Sequence, residues 1–252
     1  MDEDELVISR DAGKVRWLLL NNVKRLNAIS TDMAKAFLHK LDEAENDPVI
    51  RVVLLRGAGE NFSSGADLSS LDLYDTRSTE EFRNSMNAVA LKFVSMKKPV
   101  ISVLHGYSLG GALELSESTD IRVASASAKI GQPEIRIGIN AGAGGNVVLP
   151  RLVGKGRAML LSLTGKTLSA SEAQSIGLVD AVFSDDMIFQ EAEKLAAGIA
   201  EMPSLTVETC KRIINASQEL GLEDGLKLEK EGFIRVISSD ETKERINKFL
   251  KR

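Results

Sequence analysis

The chain is poor in the residues that metal and redox chemistry draw on. It holds one cysteine, Cys210, and two histidines, His39 and His105, in 252 residues. A single cysteine excludes an intrachain disulfide and a cysteine-based zinc site, and two histidines do not make a histidine-rich one. No metal and no cofactor is therefore expected. Basic residues are not in excess either: 32 Lys and Arg stand against 36 Asp and Glu, a formal net charge of −4. That balance argues against general nucleic-acid binding, and no basic run suits an anionic membrane surface. No apolar stretch approaches the ~18 residues of a membrane-crossing helix. The acidic start Met1-Asp2-Glu3-Asp4-Glu5 lacks the positive charge of a secretory leader. A soluble, cytoplasmic protein is expected, long enough for one large domain with a sizeable core.

What the chain does have is concentrated between Val100 and Ala124. There a β-branched apolar run meets a glycine-rich turn, Gly106-Tyr107-Ser108-Leu109-Gly110-Gly111, then a short helical segment and a second strand. Glycines at such a turn let the backbone approach a ligand and leave N–H groups free at the positive end of a helix. Glu114 follows one helical turn later, so a carboxylate reaches the same spot. Two readings compete. Gly106-Tyr107-Ser108-Leu109-Gly110 matches the Gly-x-Ser-x-Gly nucleophile elbow, with Ser108 as nucleophile. That hydrolase needs a histidine downstream of its serine, and both histidines lie upstream. The favoured reading makes Ser108 a bystander and the Gly111 amide the functional group.

Earlier in the chain, Glu5 to Ser9 and Lys14 to Asn21 read as a hairpin, with Trp17 packed on the sheet. A helix capped by Ser30 or Thr31 follows, with Met33, Phe37, Leu41 and Ala44 inward and His39 in solvent. Val49 to Arg56 reads as a buried parallel strand. The turn Asn61-Phe62-Ser63-Ser64-Gly65-Ala66-Asp67-Leu68 makes the Ala66 amide a second candidate donor. Residues 69 to 78 suggest a mobile loop, and Glu80 to Met96 an amphipathic helix. Asn140-Ala141-Gly142-Ala143-Gly144-Gly145 lacks the Lys-Ser/Thr ending of a phosphate loop and reads as a tight turn. From Lys155 onward the chain turns helical, and Cys210 falls on an apolar stripe with Val207 and Ile214, which predicts burial.

Three of these stretches resemble the enoyl-CoA hydratase/isomerase, or crotonase, family: Phe62-Ser63-Ser64-Gly65-Ala66-Asp67, Gly106 to Gly111, and Gly131-Gln132-Pro133-Glu134 with Gly142-Ala143-Gly144-Gly145. Leu26-Asn27-Ala28 and the terminal Phe249-Leu250-Lys251-Arg252 extend the likeness over nearly the whole chain. The resemblance implies an α/β fold, a spiral of ββα repeats over residues 1–195, and a helical region over 196–252 that mediates trimerisation, with trimers pairing into a homohexamer. It implies that the amides of Ala66 and Gly111 form an oxyanion hole for a thioester carbonyl. It also implies that Glu114 and Glu134 are the two glutamates of true hydratases. Members that isomerise, dechlorinate or decarboxylate commonly lack one or both, so the pair favours hydration. By position, Lys24, Ala28, Asp67, Leu68 and Ser69 join Ala66 and Gly111 in binding the acyl-CoA substrate. Lys24 and Arg25 are candidates for the coenzyme A phosphates, with Lys251 and Arg252 as weaker ones.

This chain departs from the family pattern at several points. Asn22-Val23 stands where Arg-Pro is usual, Ala141 where proline is common, and Asn146-Val147-Val148 where Thr-Gln-Arg is usual. After Glu114, small apolar residues and a cysteine give way to Ser116, Glu117, Ser118 and Thr119. Glu117 is thus a third carboxyl group, expected to be solvated or hydrogen-bonded in a structural role.

Two carboxyl groups converging on one water resist joint ionisation in a dry pocket, so Glu114 and Glu134 are expected to share a proton near neutral pH. Glu114 is assigned the activation of water and Glu134 the delivery of the α-proton. Arg136, two residues from Glu134, would share its face in a strand and favour the ionised form; the blander alternative is that it points elsewhere. The expected activity is enoyl-CoA hydration, with a double-bond isomerase of the same fold as alternative. A catalytically weak scaffold or RNA-binding relative is the alternative from another class.

Overall fold

A computed structural model describes residues 5–72 and 74–251. The amino-terminal hairpin pairs β1 (Val7–Ala12) antiparallel with β2 (Val15–Leu20) around Gly13. Helix α1 (Thr31–Asn46) starts where Ser30 Oγ accepts from the Met33 N–H, and it buries Met33, Ala34, Phe37, Leu41 and Ala44. His39 is exposed. Strand β3 (Val52–Gly57) runs parallel to β2. Helix α2 (Thr76–Ser95) begins earlier than expected, because the Asp75 side chain accepts from the Arg77 N–H and caps it. The expected loop over 69–78 is thus shortened. A single 3-10 turn over Leu68–Ser70 fills part of it, and Leu73 lies outside the described residues.

Next come β4 (Val100–Leu104), β5 (Tyr107–Leu109), α3 (Gly110–Glu117), β6 (Ile121–Ser125) and β7 (Lys129–Gly131). They show the construction rule. In each pair the first strand joins a sheet that, among the described residues, has six strands in the order β1-β2-β3-β4-β6-β9, with β9 at Ala181–Phe183, and the second joins a small sheet ordered β5-β7-β8, with β8 at Thr167–Ser169. Strand, strand, helix is the repeat, and it winds the chain into a spiral. The path continues through α4 (Gly145–Val153), α5 (Lys155–Thr164), β8 (Thr167–Ser169), α6 (Ala170–Ser175) and β9 (Ala181–Phe183).

Both faces of the large sheet are covered, which is why β3 and β4 read as unbroken apolar runs. One face packs on α1 and α2, including an edge-on contact between Phe37 and Phe93. The other packs on α7 (Ile188–Ala200), whose Ile188, Ala192, Ala196 and Ala200 are buried against Trp17, Leu54 and Val103. The boundary expected after residue 195 falls inside α7, and the helices that leave the sheet begin with α8 (Ser204–Ser217).

On α8 the expectation for Cys210 is overturned. Cys210 is exposed, and the buried residues of the helix are Thr209 and Lys211. A polar anchor displaces the apolar stripe: Lys211 Nζ donates to the carbonyls of Phe93 and Lys98 at 2.7 and 3.0 Å and pairs with Asp120 at 2.8 Å. Helices α9 (Leu222–Ile237) and α10 (Asp240–Leu250) complete the chain. They leave Leu222, Phe233 and Phe249 at 81%, 64% and 76% exposure.

Candidate active site

The site lies where the ends of β3 and β4 deliver two glycine-containing turns to one place. Asn27, itself buried, ties the first turn together. Its Nδ2 donates to the carbonyls of Ala58 and Asn61, and its Oδ1 accepts from the Asn22 N–H. Ser63 Oγ donates to the Asn27 carbonyl and accepts from the Gly65 N–H. Gly65 sits at φ +108°, and a Cβ there would lie 3.0 Å from the Leu109 carbonyl oxygen and 3.4 Å from the Gly111 nitrogen. Only glycine allows the 65–66 backbone to lie this close to the start of α3. As a result the Ala66 nitrogen lies 3.6 Å from where a Gly111 Cβ would stand. Neither the Ala66 nor the Gly111 N–H is used within the protein among the described residues. Two unused donors this close together are what holding an oxyanion requires.

Beside them stand the two glutamates. Glu114 is buried on α3, and three backbone N–H groups converge on it. Gly142 donates to Oε1 at 3.2 Å, and Ala143 and Gly145 donate to Oε2 at 2.6 and 2.8 Å. All three partners are donors, so an ionised carboxylate, which only accepts, satisfies them. The glycine-rich run read as a tight turn is thus a clamp for Glu114. Its signal in the sequence was the run of small residues, whose N–H groups stay accessible.

Glu134 is held in the opposite way. It begins a 3-10 turn, Glu134–Ile137, and its Oε1 lies 3.2 Å from where a Gly110 Cβ would be. Both carboxyl oxygens are buried with no donor from another residue, and the residue's own backbone N–H offsets the effect of burial only in part. Burial, reinforced by the charge of Glu114, pushes its pKa up to about 7. Glu114 and Glu134 act on each other electrostatically across the site. Arg136 does not share the face of Glu134, because the segment is a 3-10 turn and no strand. Its side chain packs on Gly165 instead.

The hydrolase alternative fails on geometry. Ser108 Oγ donates only to the His105 carbonyl, at 3.5 Å. The His105 ring packs edge-on to Phe189 with Nδ1 toward the Glu60 carbonyl, and burial holds its pKa near 4.

Among the residues expected to bind substrate, Ala28 is buried and Ala66 and Asp67 half-buried, while Lys24, Leu68 and Ser69 are exposed around the same turn. Arg25 is already paired, with Asp67 Oδ2 at 2.8 Å and Ser69 Oγ at 2.5 Å. Hydrogen bonds from Ser69 and then Arg25 hold the Asp67 carboxyl below its ordinary pKa. Lys24 is a cation with no carboxylate partner among the described residues. Lys251 ends α10, which packs on α9 and reaches the Glu201 carbonyl through Arg245. Arg252 lies outside the described residues. The residues that sequence reasoning passed over are Asn27, the clamp at 142–145, and Gln132, whose amide touches the third carboxyl group, Glu117.

Unused N–H groups lying close together beside a clamped carboxylate and a buried carboxyl group are compatible with chemistry that holds an oxyanion and moves protons. The chain belongs to the enoyl-CoA hydratase/isomerase family, whose model, "Enoyl-CoA hydratase/isomerase", matches residues 11–252. It is 35% identical to a short-chain-enoyl-CoA hydratase of Clostridium acetobutylicum, over 98% of this chain and 95% of that one. It is 33% identical to a 2,3-dehydroadipyl-CoA hydratase of Escherichia coli, over 98% and 96%. The crystal structure of an enoyl-CoA hydratase from Thermoplasma volcanium superposes with a TM-score of 0.93 at 41% identity, covering 98% of both chains. The fold is therefore the crotonase fold. Among the described residues, no helix is long and apolar enough to cross a membrane.

Proposed function

We propose that the protein is an enoyl-CoA hydratase, a hydro-lyase that adds water reversibly and syn across the double bond of a trans-2-enoyl-CoA to give the 3-hydroxyacyl-CoA. The observation that carries this reading is the contrast between the two glutamates. One carboxylate is fixed by three N–H donors, and the other is buried with none from another residue and is protonated up to about pH 7.

In the forward direction the thioester oxygen sits between the Ala66 and Gly111 N–H groups. Glu114 takes a proton from water as the water oxygen bonds to the β-carbon. The electron pair of the double bond moves onto the thioester, and the two N–H groups hold the resulting enolate oxygen. Glu134 gives its proton to the α-carbon. The proton gained by Glu114 and the proton lost by Glu134 balance, and transfer between the adjacent carboxyl groups restores the starting state. Acyl-CoA and water are the only reactants needed.

Purified protein with crotonyl-CoA should bleach the conjugated thioester absorbance and yield the 3-hydroxy product. A 3-enoyl-CoA that gains absorbance, with no water added to crotonyl-CoA, would instead mark an isomerase.

Lys24 supports the coenzyme A assignment as the unpartnered cation beside the turn. Lys24→Glu should raise KM for crotonyl-CoA about threefold at low ionic strength, with the difference shrinking in high salt. A KM ratio that is flat with salt removes Lys24 from the site. The exposed apolar side chains of α9 and α10 support an assembly of copies of this chain, a trimer or a dimer of trimers.

A further inference from the structure

Glu117 is the buried carboxyl group that the hydration scheme leaves unused. It is 2% exposed and lies on α3 one turn after Glu114, and its Oε1 accepts from Gln132 Nε2 at 2.7 Å. Two atoms of this pair, Glu117 Oε2 and Gln132 Oε1, are buried with no donor. Were Glu117 ionised, two acceptors would stay unsatisfied in the interior, one of them charged, which carries a high desolvation cost. One proton on Oε2 removes both defects, since a carboxylic acid and a primary amide are matched for two parallel hydrogen bonds. The Arg122 charge lowers the Glu117 pKa but does not outweigh burial, and Arg122 forms no ion pair with its carboxyl group. Arg122 is committed to the Leu178 and Thr119 carbonyls and to Asp180, and it reaches only the Glu117 backbone carbonyl. The other charged groups acting on Glu117 are Glu114 on its own helix and Glu134, both of like sign. Burial first, then Glu114, pushes the Glu117 pKa well above the usual carboxylate range.

The pair has a consequence for the site. The backbone of Gly145 is wedged between the Gln132 amide and Glu114: a Cβ there would collide with Gln132 Nε2 and lie 2.9 Å from Glu114 Cγ. Gly145 is also one of the donors that hold Glu114 Oε2. Glu117 fixes Gln132, Gln132 seats Gly145, and Gly145 orients Glu114. We propose that Glu117 is a protonated positioning residue, whose acid–amide pair with Gln132 holds the 142–145 clamp on the water-activating carboxylate. It touches no reacting atom.

The inference rests on the hydratase reading for its kinetic consequences but not for its protonation. The test therefore has a spectroscopic arm and a kinetic arm, both on the full chain. At neutral pH and without substrate, the infrared spectrum of the wild type minus that of Glu117→Gln should show a protonated-carboxyl carbonyl band in the wild type alone. No such band overturns the proposal, whatever the activity.

With crotonyl-CoA, Glu117→Gln restores both hydrogen bonds through its own amide and should keep kcat within about twofold. Glu117→Leu loses them and should lower kcat about tenfold, with KM within about twofold, because a misplaced general base costs rate more than binding. Equal damage in the two variants, or none in Glu117→Leu, overturns the positioning role. Should Glu117→Leu fail to fold, Glu117→Met, which loses the same hydrogen bonds with a closer shape, takes its place in the kinetic arm, and the infrared difference still decides the protonation. An inactive wild type that shows the band would refute the hydratase reading and leave the pair standing.

Discussion

Glu134→Gln is expected to lower kcat for crotonyl-CoA hydration by about 10³-fold, the scale of a lost general acid, with KM changed little. The thioester is held by the Ala66 and Gly111 N–H groups and by its coenzyme A end, which the substitution leaves in place. The same variant should be at least as stable as the wild type at alkaline pH. In the folded protein Glu134 holds its proton up to about pH 7, above the ordinary value of 4.5. Its contribution to stability is therefore complete below about pH 4.5 and is lost as pH rises through about 7. An amide at this position carries no such penalty. Thermal unfolding at acid and alkaline pH checks the sign: the wild type should lose ground to Glu134→Gln between the two.

Glu114→Gln should behave differently in stability although it also abolishes most activity. Turnover should fall by about 10²–10³-fold, because an amide cannot accept a proton from water. Here the protein should also be destabilised, by about 1–3 kcal/mol, since the new NH2 group faces backbone donors that need an acceptor. Gly145 and Ala143 both donate to one Glu114 oxygen and Gly142 to the other, so neither orientation of the amide satisfies all three. Two glutamates that give the same kinetic defect but opposite changes in melting temperature would show that one is clamped and the other is not. A Glu114→Gln protein as stable as the wild type would contradict the clamp.

Much of the architecture could be read from the chain because its signals are local. The apolar runs of β3 and β4, the Ser30 cap of α1 and the Gly13 hairpin each follow from neighbouring residues. The two turns bearing Ala66 and Gly111 were legible for the same reason: glycine at a strand end marks close approach. What the chain did not disclose depends on partners distant in sequence. Cys210 sits on a helix with apolar spacing, yet α8 turns Lys211 inward because the Phe93 and Lys98 carbonyls and Asp120 wait for it. Of the two readings open for Arg136, a face shared with Glu134 in a strand or a side chain that points elsewhere, the second holds, because Pro133 and Gly138 bound a 3-10 turn. Glu117 was expected to be solvated or hydrogen-bonded. It is hydrogen-bonded and dry, since Gln132, fifteen residues on, closes over it. The roles of the two glutamates could be guessed from residue identity, but their asymmetry comes from which of them the 142–145 backbone reaches.

The division of labour between Glu114 and Glu134 is tested most directly without any water addition, by exchange of the α-protons of butyryl-CoA in D2O followed by NMR. This saturated thioester can form the enolate under the Ala66 and Gly111 N–H groups but has no double bond to hydrate. Above about pH 7, where Glu134 has given up its proton, exchange should therefore need Glu134 as the base that removes and returns the α-proton, and should not need Glu114 as water activator. The account predicts that Glu114→Gln keeps substantial exchange while Glu134→Gln loses it. Exchange that survives in Glu134→Gln and vanishes in Glu114→Gln would reverse the assignment, and equal loss in both would contradict separate roles for the two carboxyl groups.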